Sequence, residues 1–425
     1  MAIDSKLSYF QKNLFRPFSI AENPVEGLSL IVVIPCFNEP EVTSVLNSLA
    51  LCKPPSEKTE VIVVVNDSEH SSNEIREINL ASLRILEEWK KSNQPFFRFH
   101  LIEALNLPDR HAGVGLARKI GMDEAASRLI HSGNPKGIIV CLDMDCEVEE
   151  NYFTELFSHF FENPKSNACS IHFEHPLRGD LPEEHYSGIA LYELFLRYYV
   201  NALQFAGFPF AFQTIGSSMA VRAEVYCKMG GMNRRKAGED FYFLHKLFPL
   251  GNFTEIYSTT VIPSPRGSDR VPFGTGKAIR QWIEKGDENY PAYDFRIFRE
   301  LKLFLDKANS SLYSTANIHQ FLNELPDAVA VYLRSEDFEK AFAEMKLHSS
   351  EPSTFAKRFF AWFDGLRVLK YVHLARDKYY PAVSLLGEVA LLADELDIEW
   401  KEGHSPVNTL NAFRLYDKVK LERRE

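Results

Sequence analysis

Residues 137 to 145 read Gly-Ile-Ile-Val-Cys-Leu-Asp-Met-Asp, an apolar run that ends in two carboxylates one residue apart. A run of this length without polar alternation predicts a strand covered on both faces, as in a parallel sheet. In open α/β sheets ligands gather at the carboxyl ends of such strands. Asp143 and Asp145 at that end can serve one hard divalent cation, directly or through water, and the cation can hold phosphate oxygens. The plainer reading is a solvated acidic pair capping the next helix.

The preceding chain supports a ligand-binding edge. Leu28 to Ile34 predicts a first strand, followed by Pro35-Cys36-Phe37-Asn38-Glu39-Pro40. Pro40 is expected to open a helix, the position proline favours, with Val42, Val45, Leu46 and Leu49 on its buried face. Glu60 to Val65 predicts a second strand ending in Asn66-Asp67-Ser68, and a helix carrying Ile75, Ile78, Ile85 and Trp89 follows. A third apolar stretch runs from Phe97 to Leu105. Strands alternating with helices predict an α/β fold with a doubly wound, mainly parallel sheet. Asn38, Glu39, Asp67, Asp143 and Asp145 then share one edge.

In these segments the chain resembles the family 2 glycosyltransferases, whose GT-A domain is a Rossmann-like nucleotide-diphospho-sugar transferase fold. Val33-Ile34-Pro35-Cys36-Phe37-Asn38-Glu39 looks like that family's first strand and its P-x-[YF]-N-E turn. Val63-Val64-Val65-Asn66-Asp67-Ser68 is similar to the second strand, with Asn66 where the family usually has Asp. Gly113 to Gly121 resembles G-x-x-x-A-R-N-x-G, with Lys119 where Asn is commoner. Asp143-Met144-Asp145 matches the metal motif, and Gly238-Glu239-Asp240 matches the motif carrying the acceptor-side base. Ile215 to Arg222 resembles the acceptor-side strand. The motifs keep family order over roughly residues 29 to 275, and order is harder to obtain by chance than any one motif.

The resemblance implies a metal-dependent hexosyltransferase that moves a sugar from a nucleotide-diphospho-sugar, UDP-linked, to an acceptor hydroxyl with inversion. Pro35, Asn38, Glu39, Asp67, Arg118, Asp143, Arg266 and Arg270 are then expected to bind the donor. Asp145, with Asp143, holds Mg²⁺ or Mn²⁺. Asp240 is the expected base and Glu239 its companion, while Gly216 and Ser217 face the acceptor, a glycan or a lipid-linked group. The physical reasons are independent of the family. A carboxylate such as Asp67 can accept an N–H from a nucleotide base, and the forked donors of Arg118 suit a ribose or phosphate. A cation neutralises a departing diphosphate as a Lewis acid, and a carboxylate is ionised at neutral pH. Gly113, Ala117 and Gly121 recur every fourth position, a small-residue stripe that lets a helix lie close on the sheet. Arg266 and Arg270 sit in a Gly-, Pro- and Ser-rich segment suited to closing over a diphosphate.

Other functions fit less well. A haloacid-dehalogenase-like phosphatase also uses Asp-x-Asp, but it wants Thr or Val two residues later, where Glu147 stands. A catalytically inactive nucleotide-sugar-binding module has no need of Asp240. A nucleotidyltransferase needs a Gly-rich loop after the first strand, where Pro35-Cys36-Phe37-Asn38 stands instead. His172 and His175 are three apart in an extended segment and point to opposite faces, which favours a structural or acceptor-contacting role over a metal-ligand pair. The net charge of −10 argues against non-specific nucleic-acid binding.

The expected organisation is an N-terminal extension (1–28), a catalytic domain (29–275) and a helical C-terminal region (276–425). Six cysteines without a C-x-x-C pair and the absence of a secretory signal lead to a cytoplasmic expectation. Leu191 to Phe212 is the most apolar long stretch, but Glu193, Arg197, Asn201, Gln204 and Pro209 interrupt it. Phe355 to Tyr380 mixes aromatics with Lys and Arg. Such a helix can lie on the inner face of an anionic bilayer, although packing on the catalytic domain or on another copy in a homo-oligomer is the commoner use.

Overall fold

The computed structural model describes residues 2–267, 280, 282, 290–400, 403 and 405–422. The chain divides into two compact units, Met1–Gly179 with Thr214–Ala278, and Asp180–Gln213 with Ile279–Glu425. The boundary expected at residue 275 lies outside the described residues, as does Arg270.

The first unit is built on an eight-stranded sheet. Its strands are β1 (Leu28–Cys36), β2 (Lys58–Ser68), β3 (Arg98–Leu107), β4 (Ile138–Cys141), β5 (Cys146–Val148), β6 (Ala168–Phe173), β7 (Met219–Arg222) and β8 (Phe253–Pro263). They lie in the order β3-β2-β1-β4-β7-β6-β8-β5. The first half of the sheet, β3-β2-β1-β4, is parallel throughout. β7 then runs antiparallel to both β4 and β6, and β5 antiparallel to β8, so the whole is a mixed sheet. Every residue of β4 is buried, as its apolar run predicts. Pro35 lies within β1 opposite Val64 of β2, in the strand and not in the turn after it. The β1–β4 pairing ends at Val33 and Cys141, so the missing N–H of Pro35 interrupts no bond to β4.

Helices α1 (Ala2–Asn13), α2 (Ser44–Leu51), α3 (Asn73–Ser92), α4 (Val114–His131) and α5 (Tyr152–Glu162) precede α6 (Glu183–Phe205), and α7 (Ala223–Lys228) and α8 (Glu239–Leu247) follow it. α2 begins at Ser44 behind an N-cap at Thr43, so Pro40 does not open it. The Glu39 carboxylate instead accepts the Glu41 N–H at 3.3 Å, a local bond that competes with a helical start. On α3 the buried face is Asn79, Ser82, Leu86 and Trp89, and Ile85 is exposed. α4 is buried from Gly115 to Leu129. A Cβ at Gly121 would collide with the side chains of Val33 and Val64. The small residue there lets α4 approach the sheet closely, as the stripe predicts.

Two buried ionic groups secure this unit. Glu60 accepts from Arg128 Nε at 2.5 Å and Nη2 at 2.8 Å, with His100 at 3.6 Å. Asp123 accepts from the Tyr9 and Tyr226 hydroxyls at 2.6 Å each and pairs with Lys119 at 3.0 Å. Lys119 thus ties α1 to α4, a duty the family's usual Asn could not perform as a cation.

The second unit is helical. The polar residues that interrupt the apolar stretch of α6 are its strongest tie: Glu193, Arg197 and Asn201 meet Arg414 and Asp417 of helix Pro406–Glu422 in a buried network. Among the described residues, no helix is long and apolar enough to cross a membrane. The basic aromatic stretch is two helices, Pro352–Trp362 and Gly365–Lys378, divided where Asp364 caps the second through Arg367 N–H. Phe359 and Phe363 stack on each other and meet Phe304 edge-on, and Phe338 packs on Phe359 and Trp362. Phe304, Phe338, Phe359 and Phe363 are buried within their own unit.

Candidate active site

Because β1, β2 and β4 are parallel, their carboxyl ends open on one edge, and the polar residues that follow them converge there. Asn38 adopts a left-handed conformation, φ 49°, which Asn tolerates better than most residues. Its N–H donates to Asn79 Oδ1 at 2.9 Å, and Asn79 Nδ2 donates to the Asn66 carbonyl at 3.1 Å. Asn79 therefore staples the tips of β1 and β2. Sequence reasoning passed over it, although an amide on the buried face of an otherwise apolar helix was the available signal. Asp67 is buried and accepts the Asn106 N–H at 2.5 Å.

Asp143 and Asp145 form the turn between β4 and β5, closed by Cys146 N–H to Asp143 O at 3.1 Å. Both are part-exposed, at 36% and 28% of their side chains. β7 pairs antiparallel with β4 through Cys141 and Met219, so Gly216, Ser217 and Ser218, which lead into β7, lie beside Asp143. Burial pushes the Cys146 thiol well above its usual range, with Ser217 opposing the rise.

Arg118 connects the two halves of the site. It is buried on α4 and donates through Nη2 to Asp143 and through Nη1 to Glu239, the first residue of α8. A Cβ at Gly216 would overlap its guanidinium. Gly216 thus makes room for Arg118. Gly238, at φ 67°, turns the chain into α8. A Cβ at Gly115 would meet the Arg235 carbonyl and Glu239 Cβ, so α4 and α8 abut only because that residue is Gly. Asp240 accepts the N–H of Phe241 at 2.7 Å. Arg118 therefore sits in the interior rather than at the surface.

Charge is unevenly matched here. Burial opposes ionisation of Arg118, but Asp143 and Glu239 outweigh it and hold the guanidinium charged. Burial pushes Glu239 up to about 7 against the pull of Arg118, with Asp240 adding to the rise. Asp240 is likewise pushed up, first by burial. The common cause is burial, and Asp143 adds to the rise of both groups.

Arg266 approaches from beyond β8. Its Nη2 donates to the buried carboxylate of Glu39 at 2.5 Å and lies 3.7 Å from Asp145 Oδ2. The structure so brings together Asn38, Glu39, Asp67, Arg118, Asp143, Asp145, Gly216, Ser217, Glu239, Asp240 and Arg266. Among the described residues no group of three or more His, Cys, Asp or Glu side chains is arranged to hold a metal ion by itself. Two adjacent hard carboxylates in a site of excess negative charge nevertheless fit a Mg²⁺-type ion, which takes one or two carboxylates and completes its shell with phosphate oxygens and water.

The chain is similar to solved structures of S. aureus TarS 1-349 in complex with UDP-GlcNAc, at 14% identity and TM-score 0.40, over 93% of this chain and 92% of that one. It is also similar to the mannosyltransferase PcManGT from Pyrobaculum calidifontis in complex with GDP-Man and Mn²⁺, at 15% identity and TM-score 0.37, over 100% of this chain and 96% of that one. No curated protein matches it. The model of the family described as Glycosyl transferase family 2 matches residues 31–227, a span that holds the parallel strands, the Asp143–Asp145 turn, Arg118 and Gly216. The chain carries a family 2 glycosyltransferase domain over those residues.

Proposed function

We propose that the protein transfers a hexose from a nucleotide-diphospho-sugar, UDP-linked, to an acceptor hydroxyl with inversion. The observation that carries this reading is Arg118. One buried guanidinium joins Asp143 of the donor-side motif to Glu239 of the acceptor-side pair, so both motifs serve one site.

In this mechanism Asp67 accepts an N–H from the base, and the backbone around Asn38 lines the base and ribose. Asp145, with Asp143 beside it, would hold Mg²⁺ or Mn²⁺, which would supply Lewis-acid neutralisation of the diphosphate. Arg266, already beside Asp145, adds a second positive group there. The acceptor oxygen attacks the anomeric carbon on the face opposite the diphosphate. The C–O bond to the diphosphate breaks with its electron pair leaving on the phosphate oxygen, and the hydroxyl proton passes to Asp240. Glu239, fixed by Arg118, positions Asp240 through their shared helix start. Burial, before any neighbouring charge, raises Asp240 and makes it a stronger base than an ordinary carboxylate. A reducing, cytoplasmic setting belongs to this proposal and suits six free cysteines, all buried.

Calorimetric titration with UDP- and GDP-sugars, with and without Mn²⁺, tests the reading in the wild type, Asp145→Ala and Asp240→Asn. Metal-dependent binding that is lost in Asp145→Ala and kept in Asp240→Asn is expected. Equal donor affinity in wild type and Asp145→Ala would remove the metal assignment. No binding of any donor would leave a transferase-like domain without the activity.

A further inference from the structure

The net charge of the chain is −10, yet the rim beside the acceptor-side base is basic. Arg234, Arg235 and Lys236 are exposed on the loop that turns into Glu239 and Asp240, and Asn233 ties that loop to the Glu239 carbonyl at 2.8 Å. Arg110, also exposed, comes from the loop after β3, which meets the first: Lys236 reaches Asp109 at 3.3 Å, and a Cβ at Gly113 would touch the Lys236 backbone. Of these four cations only Lys236 has an ion pair among the described residues. The nearby His111 accepts from Arg110 Nε at 2.7 Å and is held below its usual range by burial, Arg110 and Arg234, so both cations act on one imidazole.

Two of the guanidinium groups are oriented by aromatic rings. Arg235 lies 3.6 Å from the centroid of Tyr242, and Arg234 lies 5.3 Å from that of Phe15. Stacking holds the plane of the fork and leaves its N–H edge for a ligand. Repelling cations kept together on adjacent loops raise the energy of the free protein, and an anion relieves that repulsion. The guanidinium fork matches the oxygens of phosphate in a bidentate fashion. A neutral sugar acceptor makes no use of such charge.

We propose that the rim of Arg110, Arg234, Arg235 and Lys236 receives a phosphate-bearing acceptor, beside the carboxylate that takes the proton from its hydroxyl. This rests on the glycosyltransferase reading and adds the chemical class of the acceptor. The phosphate is supplied either by a soluble phosphate-bearing chain or by a lipid headgroup.

The test uses the full chain, with three probes. They are a short glycerol-phosphate oligomer, phosphatidylcholine vesicles containing phosphatidylglycerol, and a neutral oligosaccharide of similar length. Donor binding is measured in parallel. Wild type is expected to bind one or both phosphate probes and not the neutral one, with affinity falling as salt rises. Oligomer binding assigns a soluble chain, and vesicle binding assigns a headgroup. Arg234→Ala with Arg235→Ala is expected to weaken that binding about tenfold or more while donor affinity stays within about twofold. Arg110→Glu, on the other loop, supplies an independent variant whose phosphate binding should fall likewise. Donor binding without binding of either phosphate probe would overturn the acceptor class and leave the transferase reading standing. A loss confined to donor affinity would also overturn it and give the rim to the donor. Phosphate binding without any donor binding would count against the transferase reading, and the acceptor role would fall with it.

Discussion

The guanidinium of Arg118 occupies the space that a side chain at Gly216 would need. One residue stands on α4 and the other leads into β7, and 98 positions of sequence separate them. Their contact decides whether Glu239 and Asp143 share a partner. Gly216→Ala should therefore displace Arg118 and lower kcat by about a hundredfold, the scale of a small misplacement at a reacting centre. Overpacking costs ~1–3 kcal/mol, so the variant should remain folded. Steady-state kinetics beside a denaturation curve separates the two effects. An active Gly216→Ala enzyme would show that Arg118 need not stay where it is.

Removing the cation itself is more damaging. Arg118→Ala leaves Glu239 buried without its partner, and breaking a buried pair in this way costs about 3–5 kcal/mol. Arg118→Lys keeps the charge but cannot span Asp143 and Glu239 with one planar fork. It should recover a good part of the stability and little of the activity. Urea denaturation and turnover measured on both variants check this order.

Asp240 and Glu239 both have raised affinities for a proton, first through burial. A base with a raised pKa becomes active only as pH climbs past it. The acid limb of kcat/KM should therefore lie above the ordinary carboxylate range of about 4. A pH–rate profile shows this directly. The limb belongs to the interacting pair rather than to either residue alone.

Glu60 titrates in the opposite sense. Burial opposes its ionisation, but Arg128 and His100 outweigh burial and bring it down to about 2. A lowered carboxylate stabilises the fold above its unfolded pKa of about 4, and the contribution is lost as pH falls through about 2. Glu60→Gln should be less stable than wild type at neutral pH by on the order of 3 kcal/mol. The gap should close on acidification across that window. Thermal melts of both proteins at a series of pH values provide the comparison.

The strands were legible because each signal is local. Ile138 to Cys141 is apolar without alternation, and such a run leaves few alternatives to a buried strand. Asp143 and Asp145 follow it directly, so the edge they mark was legible too. Pro40 misled because its preference for a helix start is weaker than the Glu39 bond to Glu41 N–H, which depends on where Glu39 is held. Ile85 misled because apolar spacing marks a stripe without saying which face the sheet covers. On α3 that face includes Asn79 and Ser82, whose polarity hides them from a search for apolar periodicity.

The sequence by itself determined the parallel half of the sheet, the order of its motifs and the carboxylates at its edge, since these follow from residue type and spacing along a short stretch. Only the tertiary structure decided what those carboxylates face. Arg118 lies between Asp143 and Glu239, Arg266 crosses to Glu39, and Lys119 anchors α1, because distant segments are brought together by burial and close packing. A charge buried in a dry setting must find its partner wherever the fold has placed one. No spacing along the chain records that requirement.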